Sequence, residues 1–134
     1  LYFLQTKEYD NENDNSNVIY TELNGYKFMF MGDAGVDKEK DILEKYNLKN
    51  IDVLKVGHHG SNTSSSEEFI KSINPKYSII SVGKNNRYGH PKESVLNNLV
   101  NTKIYRTDED GSIMFKIKNN ELKIGTCLPN YKLI

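Results

Sequence analysis

The sequence predicts an α/β fold in which a mixed β-sheet is flanked by helices. Short runs rich in β-branched and aromatic residues alternate with segments whose apolar residues recur at helical spacing. The Asn24-Gly25 pair lies between two of the strand patterns. Both residues of a tight hairpin turn must tolerate positive φ, and Asn-Gly does so readily. The sheet therefore includes an antiparallel hairpin, and its later strands are separated by helices.

The predicted elements follow one another without a boundary that would divide the chain. Strand patterns cover residues 1–4, 18–23, 26–31, 53–56, 77–82 and 104–107, and a closing hairpin joins 112–118 to 122–124. Helices are predicted to begin near Asp37, after the serines at 64–66 and at Pro91. Residues 5–16 are polar and acidic and are predicted to form a solvated loop. We expect residues 1–134 to form one partial domain.

Composition narrows the possible functions. Lysine plus arginine and aspartate plus glutamate number 18 each, so the chain has no global basic field for nonspecific binding to nucleic acid. Cys127 is the single cysteine, which excludes an internal disulfide and a thiolate metal cluster. No run of about 18 apolar residues predicts a membrane span. The chain begins at Leu1 inside a strand pattern, and we expect it to be part of a longer protein.

Two histidines directly follow the buried strand pattern 53–56, in the segment Gly57-His58-His59-Gly60-Ser61. The strand fixes the backbone, and the flanking glycines allow a tight turn and a close approach to a bound ion. Neutral imidazole is a favoured ligand of zinc and of similar first-row metals. The pattern therefore predicts a metal or catalytic site at His58 and His59. The alternative is a loop in which backbone hydrogen bonds satisfy both rings.

Asp33 is a second candidate, because it lies among glycines just past the strand pattern 26–31. A carboxylate in that place is typical of a ligand or catalytic group at a sheet edge. The alternative is a helix cap, but Asp37 suits that role and leaves Asp33 without a structural one. A third polar loop, 85–91, follows a later strand. Because ligands collect at strand ends on one side of an open sheet, we expect the three loops to converge.

In combination, four segments of the chain resemble the metallo-β-lactamase-fold hydrolases. They are Asn13-Asp14-Asn15-Ser16, Gly32-Asp33-Ala34, residues 53–61 and residues 81–91. Within that family the chain is most similar to the branch that includes the C-terminal domain of ComEC-type competence proteins and related free-standing hydrolases. The resemblance covers residues 13–117. It implies an αββα sandwich with two divalent metal ions, zinc or manganese, bound between its sheets.

The resemblance also implies roles for individual residues. Asp33 would bridge the two metal ions. One of His58 and His59 would be a metal ligand and the other would face the substrate, and the sequence leaves open which is which. The implied catalytic groups are His58, His59 and His90. The implied substrate-binding residues, which would contact a phosphoester, are Ser61, Asn85, Asn86, Tyr88 and His90.

The chain departs from the family pattern in its early ligands. The His-x-His-x-Asp-His motif of the N-terminal half is absent, and no histidine precedes His58. The chain therefore resembles the C-terminal half of the sandwich. Two or three donors fall short of the usual ligand count, so we expect weak metal binding by the chain alone. We also expect an exposed apolar surface that the missing N-terminal half would cover.

These inferences lead to two main hypotheses for function. The first is a two-metal hydrolase of a phosphodiester, with DNA and a cell-surface phosphoester as equal candidates and with the missing half supplying the other ligands. The second is a non-catalytic binding module of a competence-type DNA-uptake protein with a membrane-anchored parent. A ComEC-like protein would place the chain at the extracytoplasmic face or outside the cell, and otherwise we expect it in the cytoplasm. A third, less favoured arrangement is an exchange of halves between two copies.

Overall fold

The computed structural model describes residues 1–128, which form two β-sheets and four α-helices. The strands are β1 (Tyr2–Phe3), β2 (Ile19–Leu23), β3 (Tyr26–Phe30), β4 (Val53–Lys55), β5 (Tyr77–Ile80), β6 (Lys103–Arg106), β7 (Ser112–Lys118) and β8 (Glu121–Cys127). The helices are α1 (Val36–Lys45), α2 (Glu67–Ile73), α3 (Glu93–Asn98) and α4 (Thr107–Asp110). Two short 3-10 turns cover Glu12–Asn15 and Gly57–Gly60.

Six strands form a mixed sheet in the order β1-β2-β3-β4-β5-β6. The first three strands pair antiparallel, whereas β3, β4, β5 and β6 pair in parallel and are joined by helical crossovers. The predicted hairpin is confirmed, because Leu23 pairs with Tyr26 across a turn in which Asn24 and Gly25 have φ angles of 49° and 84°. The predicted α/β fold, with a mixed sheet and flanking helices, is therefore confirmed.

The crossover helices cover one face of the sheet and bury alternate residues of its strands. Met29, Leu54 and Ile80 of the three central strands are fully buried on this face. They belong to one apolar cluster with side chains from all three crossover helices, including Ile42, Phe69, Ile73 and Val95. Because β3, β4 and β5 are anchored in this cluster, the loops that follow them begin at fixed positions.

The β7–β8 hairpin covers part of the opposite face. The ring of Phe28 meets that of Phe115 edge-on, with the ring centroids 6.2 Å apart, and the hydroxyl of Tyr26 donates to the carbonyl of Asn120 at 2.9 Å. Toward the β1 edge, the same face exposes three large apolar side chains, those of Phe3, Leu23 and Phe30. An exposed apolar surface of the expected kind is therefore present, and its covering by a missing half remains a prediction.

Three details differ from the expectations drawn from the sequence. Helix α1 is capped by Gly35, so the predicted capping role of Asp37 is wrong and Asp37 lies in the first turn. The reason is a long-range contact, since Val36 N donates to the carbonyl of Thr63 at 3.0 Å and needs no local cap. The segment 5–16 is not fully solvated, because Asp14 is buried. The acidic residues 108–110 followed by Gly111 are typical of a turn in the sequence, whereas the structure has the short helix α4 at residues 107–110.

Within residues 1–128, no helix combines the length and the apolar character that crossing a membrane requires.

Candidate functional site

The three candidate loops follow β3, β4 and β5, which are adjacent parallel strands, so all three leave the same edge of the sheet. Hydrogen bonds join each loop to the next. His58 N donates to the carbonyl of Gly32 at 2.9 Å, and Lys92 N donates to the carbonyl of Gly60 at 2.9 Å. The Asp33 turn (residues 32–35), the histidine loop (Gly57–Gly60) and the loop 83–92 therefore form one continuous surface at this edge.

Asp33 and His58 line the same pocket, which has a volume of about 340 Å³. Asp14, Asp37 and Thr63 line it as well. His59 is not part of the pocket wall. The structure therefore places Asp33 and one histidine of the pair, His58, in the wall of the same pocket, whereas His59 lies outside it.

The backbone of the histidine loop is left-handed at two successive non-glycine residues. His58 has φ and ψ of 45° and 45°, and His59 has 55° and 22°. Each left-handed L-residue costs about 1–2 kcal/mol, and such residues cluster at functional sites. The hydroxyl of Ser64 stabilises this shape by donating to the carbonyls of Gly57 and Ser61, at 3.0 and 3.2 Å. The strain is consistent with a functional role for the pair.

Different partners hold the two imidazole rings. His59 Nδ1 lies 2.7 Å from the carbonyl oxygen of Ser81. Because that oxygen can only accept, Nδ1 carries the hydrogen and donates a hydrogen bond to it. His58 Nδ1 lies 3.4 Å from the hydroxyl of Thr63, which in turn lies 3.0 Å from the hydroxyl of Ser61. The ring of His59 is thereby held at the end of β5, whereas the ring of His58 is held by Thr63, and His58 lines the pocket that Asp33 also lines.

The ring of His90 lies near that of His58. Their ring centroids are 6.2 Å apart, and the ring of Tyr88 stacks on His90 at 5.7 Å. Burial lowers the pKa of His90, and electrostatic repulsion from Lys92, His58 and His59 lowers it further. Within residues 1–128, Nδ1 of His90 is buried without a hydrogen-bond partner. The three histidines of the chain therefore form one cluster, with His58 in the middle.

The predicted substrate-side residues divide into exposed and enclosed groups. Tyr88 is 59% exposed, and Asn85 is also exposed. The side-chain amide of Asn86 makes its hydrogen bonds within the loop 83–92. Its oxygen accepts from His90 N at 2.9 Å, and its nitrogen donates to the carbonyls of His90 and Gly83 at 2.7 and 3.1 Å. Ser61 is buried and bonded to Thr63. Asn86 and Ser61 therefore support the shape of the loops in this structure.

Lys55 was missed in the sequence as a candidate, although a lysine inside the apolar strand 53–56 is an unusual signal. Its ammonium group donates to the carbonyl of Val56 at 3.1 Å. Burial lowers the pKa of Lys55, and the negative charge of Asp33 opposes that shift. Lys55 thus places a partly buried cation close to Asp33.

The described residues do not complete a metal centre. Within 1–128, no group of three or more histidine, cysteine, aspartate or glutamate side chains is arranged to hold an ion. Asp33 and His58 are the two predicted ligands in this pocket, and Asp14 and Asp37 also line it, but a metal site of this chemistry needs three or four protein ligands arranged around one ion. The residues from 1 to 128 therefore do not by themselves fit a resident metal ion.

The chain is similar to parts of several curated proteins, while no protein-family model matches it. It is 41% identical over 117 residues to ComE operon protein 3 of Bacillus subtilis, which covers 86% of this chain and 15% of that protein. It is 37% identical over 127 residues to Competence protein ComA of Neisseria gonorrhoeae, covering 90% of this chain and 18% of that protein. It is 33% identical over 115 residues to Recombination protein 2 of Haemophilus influenzae, covering 84% of this chain and 14% of that protein.

These similarities cover most of this chain but only 14–18% of the length of each relative. The names of the relatives point to the competence-protein family, as the motifs predict. The competence part of the predicted resemblance is thus supported. The metallo-β-lactamase relationship and the metal site remain predictions.

Proposed function

We propose that this chain contributes one side of a metal-dependent phosphodiester hydrolase site within a longer competence-type protein. One observation carries the proposal: Asp33 and His58, which follow adjacent parallel strands, line a single pocket. The left-handed backbone at His58 and His59 supports it, because strain of this kind is retained where a side chain must be presented in a fixed direction. The competence names of the relatives supply the biological context.

Within this proposal, His58 is the metal ligand of the pair and His59 faces the substrate. His58 shares the pocket with Asp33, and its Nδ1 lies against the hydroxyl of Thr63. A hydrogen bond at one ring nitrogen is the usual way in which a protein orients the other nitrogen toward a metal. His59 Nδ1 is engaged by the carbonyl of Ser81, so its Nε2 is the nitrogen available to accept a proton or a hydrogen bond.

Because the described residues do not complete a metal site, the remaining ligands would come from elsewhere in the longer protein. A divalent ion held by Asp33, His58 and those further ligands would lower the pKa of a coordinated water and so supply the nucleophile at neutral pH. The residues of this chain would position and polarise the substrate. The lowered pKa of His90 favours its uncharged form, whereas the negative charge of Asp33 favours the charged form of Lys55 against the effect of burial.

The charge of the third loop favours an anionic substrate. Residues 83–92 contain Lys84, Arg87 and Lys92 but no aspartate or glutamate, although the whole chain is neutral. The guanidinium of Arg87 lies over the ring of Tyr88, 4.8 Å from its centroid. A local cationic surface of this kind attracts phosphates without a global basic field. The competence names favour DNA over a cell-surface phosphoester as the substrate.

A non-catalytic role in DNA uptake is the second candidate function. It is favoured by the incomplete donor set among residues 1–128. In that case the cationic loop would bind nucleic acid without cleaving it. The residues upstream of Leu1 in the longer protein discriminate between the two, because a His-x-His-x-Asp-His motif there would complete the metal site and its absence would favour the binding module.

The direct test is hydrolysis of single-stranded DNA, double-stranded DNA and a small aryl phosphodiester by the complete protein. We expect activity that is lost with a chelator and restored by Mn²⁺ or Zn²⁺. Asp33→Asn should lower the rate at least about 100-fold, as expected for loss of a group that holds the reacting ion. Asp10→Asn removes the same charge from an exposed loop residue and serves as the matched control.

Turnover that is insensitive to chelators, or equal activity in Asp33→Asn and Asp10→Asn, would show the hydrolase proposal to be wrong. Binding of DNA without any hydrolysis, in a protein that lacks the upstream motif, would establish the binding module instead.

A further inference from the structure

We infer that Asp14 and Ser16 are positioning residues that fix Asp33 in its pocket, an inference that rests on the proposed function. Both belong to the bracket loop, which we define as residues 11–16. Neither side chain needs to touch an ion or a substrate for this role. Both act on the backbone of the Asp33 turn, from which the carboxylate projects.

Two hydrogen bonds attach the bracket loop to the turn on either side of Ala34. Asp33 N donates to Ser16 Oγ at 3.1 Å, and Gly35 N donates to Asp14 Oδ1 at 2.7 Å. Between them, Ala34 N donates to the carbonyl of Met31 at 3.2 Å. Three successive amides of the turn therefore have fixed partners, which leaves the backbone at Asp33 little freedom to rotate.

The glycines of the turn allow this close approach. A Cβ atom at Gly32 would lie 3.1 Å from Cβ of Ser16, and one at Gly35 would lie 2.8 Å from Oδ1 of Asp14. Gly32 also has a φ of +59°, which L-residues adopt only at a cost. The backbone of the turn is thus in direct contact with the two side chains that hold it.

The bracket loop is itself held in one shape. Asn13 N donates to the side chain of Asn11 at 3.1 Å, and the ammonium group of Lys38 donates to the carbonyl of Ser16 at 2.7 Å. Both Asp14 and Lys38 are 5% exposed. Burying two charged side chains is costly unless they are hydrogen-bonded, so their retention here is explained by the bonds they make across the loop and the turn.

Support of this kind has functional consequences in sites that depend on exact placement. A ligand that is displaced by about 1 Å can lose a large part of its effect, and removal of a hydrogen-bond partner behind a ligand typically costs 10–100-fold in metal affinity or activity. The bracket loop would therefore set the affinity of the site through Asp33.

Amide hydrogen exchange, measured by NMR on the 134-residue chain, tests the contacts. Ser16→Ala should speed exchange at Asp33 N roughly tenfold and leave Gly35 N protected, because one hydrogen bond is lost. Asp14→Ala should speed exchange at Gly35 N and leave Asp33 N protected. Asp14→Asn keeps an acceptor oxygen and should preserve protection at Gly35 N. Ser72→Ala, at an exposed position of α2, is the control and should change neither amide. Unchanged exchange in Ser16→Ala and Asp14→Ala would overturn the inference.

Calorimetric titration of the complete protein with Mn²⁺ alone tests the role. We expect Asp14→Ala to raise the Kd for Mn²⁺ about 10–100-fold and Asp14→Asn to restore most of the affinity. A purely structural role would reduce the fraction of folded protein but leave the Kd of the folded fraction unchanged, and that result would overturn the inference. If the wild type binds Mn²⁺ with this dependence but hydrolyses no phosphodiester, the proposed hydrolase is wrong and the positioning role stands.

Discussion

The Asp33 turn and the histidine loop follow adjacent parallel strands and line one pocket, but they are held in different ways. The Asp33 turn is held by side chains that lie 17 and 21 residues earlier in the sequence. The histidine loop is held by its own left-handed backbone and by Ser64, seven residues after Gly57. Side chains distant in sequence thus position Asp33, whereas a local left-handed backbone positions His58, and both residues line the same pocket.

The difference has a structural reason. The turn at Asp33 leads into helix α1 and has no side-chain cap of its own, so long-range hydrogen bonds must satisfy its amides. The histidine loop instead reverses direction within four residues, which requires positive φ at His58, His59 and Gly60. We therefore expect the histidine loop to be more sensitive to backbone changes, and the Asp33 turn to be more sensitive to changes in distant side chains.

The largest expected effect is that of Gly60→Ala. Gly60 has a φ of +81°, and a Cβ there would lie 2.5 Å from Cβ of Pro91. The left-handed conformation and the overlap together should lower the free energy of unfolding by about 3 kcal/mol. Gly25→Ala is the matched control, because Gly25 has a φ of +84° and open space around it, and should cost only about 1 kcal/mol. Urea unfolding followed by circular dichroism measures both, and equal costs would contradict the account.

A smaller effect is expected for Gly35→Ala in the Asp33 turn. Its φ is ordinary, but a Cβ would lie 2.8 Å from Oδ1 of Asp14 and 3.0 Å from the carbonyl of Thr63. We expect a loss of about 2 kcal/mol in the free energy of unfolding, because the bracket loop must move. Gly83→Ala, where no atom lies within 4 Å, should change stability by less than about 1 kcal/mol.

The double variant Gly35→Ala with Asp14→Ala sharpens this prediction. If the cost of the Gly35 substitution arises from the contact with Asp14, the two costs should be clearly less than additive. Additive costs would mean that the carbonyl of Thr63 is the atom that matters, and the Asp33 turn would then depend on the segment after the histidine loop.

The smallest expected effect concerns Glu39, which connects the two regions. Glu39 is 1% exposed, and its carboxylate accepts from Ser66 N at 3.0 Å and from Ser65 N, in the segment after the histidine loop. Burial raises the pKa of Glu39 above its ordinary value of 4.5, although the backbone hydrogen bonds lower it in part. The folded state therefore holds the proton to higher pH than the unfolded state does.

The stability gained from this proton is complete below pH 4.5 and is lost as the pH rises through the folded-state pKa. We expect the free energy of unfolding of the wild type, relative to Glu39→Gln, to fall as the pH rises above 4.5. Urea unfolding at several pH values measures the difference. A difference that rises with pH would mean that the hydrogen bonds to Ser65 and Ser66 outweigh burial and hold the pKa of Glu39 below its ordinary value.

Much of the fold could be predicted because its signals are local. The Asn24-Gly25 turn, the apolar strand 53–56 and the serine before helix α2 each act over a few residues, and Ser66 indeed accepts from Phe69 N at 3.3 Å. The histidine pair stood out for the same reason. The cap at Asp37 was mispredicted because a carbonyl 27 residues away, that of Thr63, replaces a local cap at the start of α1.

The sequence by itself determined the order of strands and helices and the candidate groups at their ends, because periodicity and turn chemistry depend on neighbouring residues. Tertiary structure alone decided that His58 rather than His59 shares the pocket with Asp33, and that Asp14 is a buried support rather than part of a solvated loop. Both features depend on contacts between residues that are distant in sequence and come together only when the parallel strands are aligned. A pattern within a short segment of sequence carries no information about such contacts.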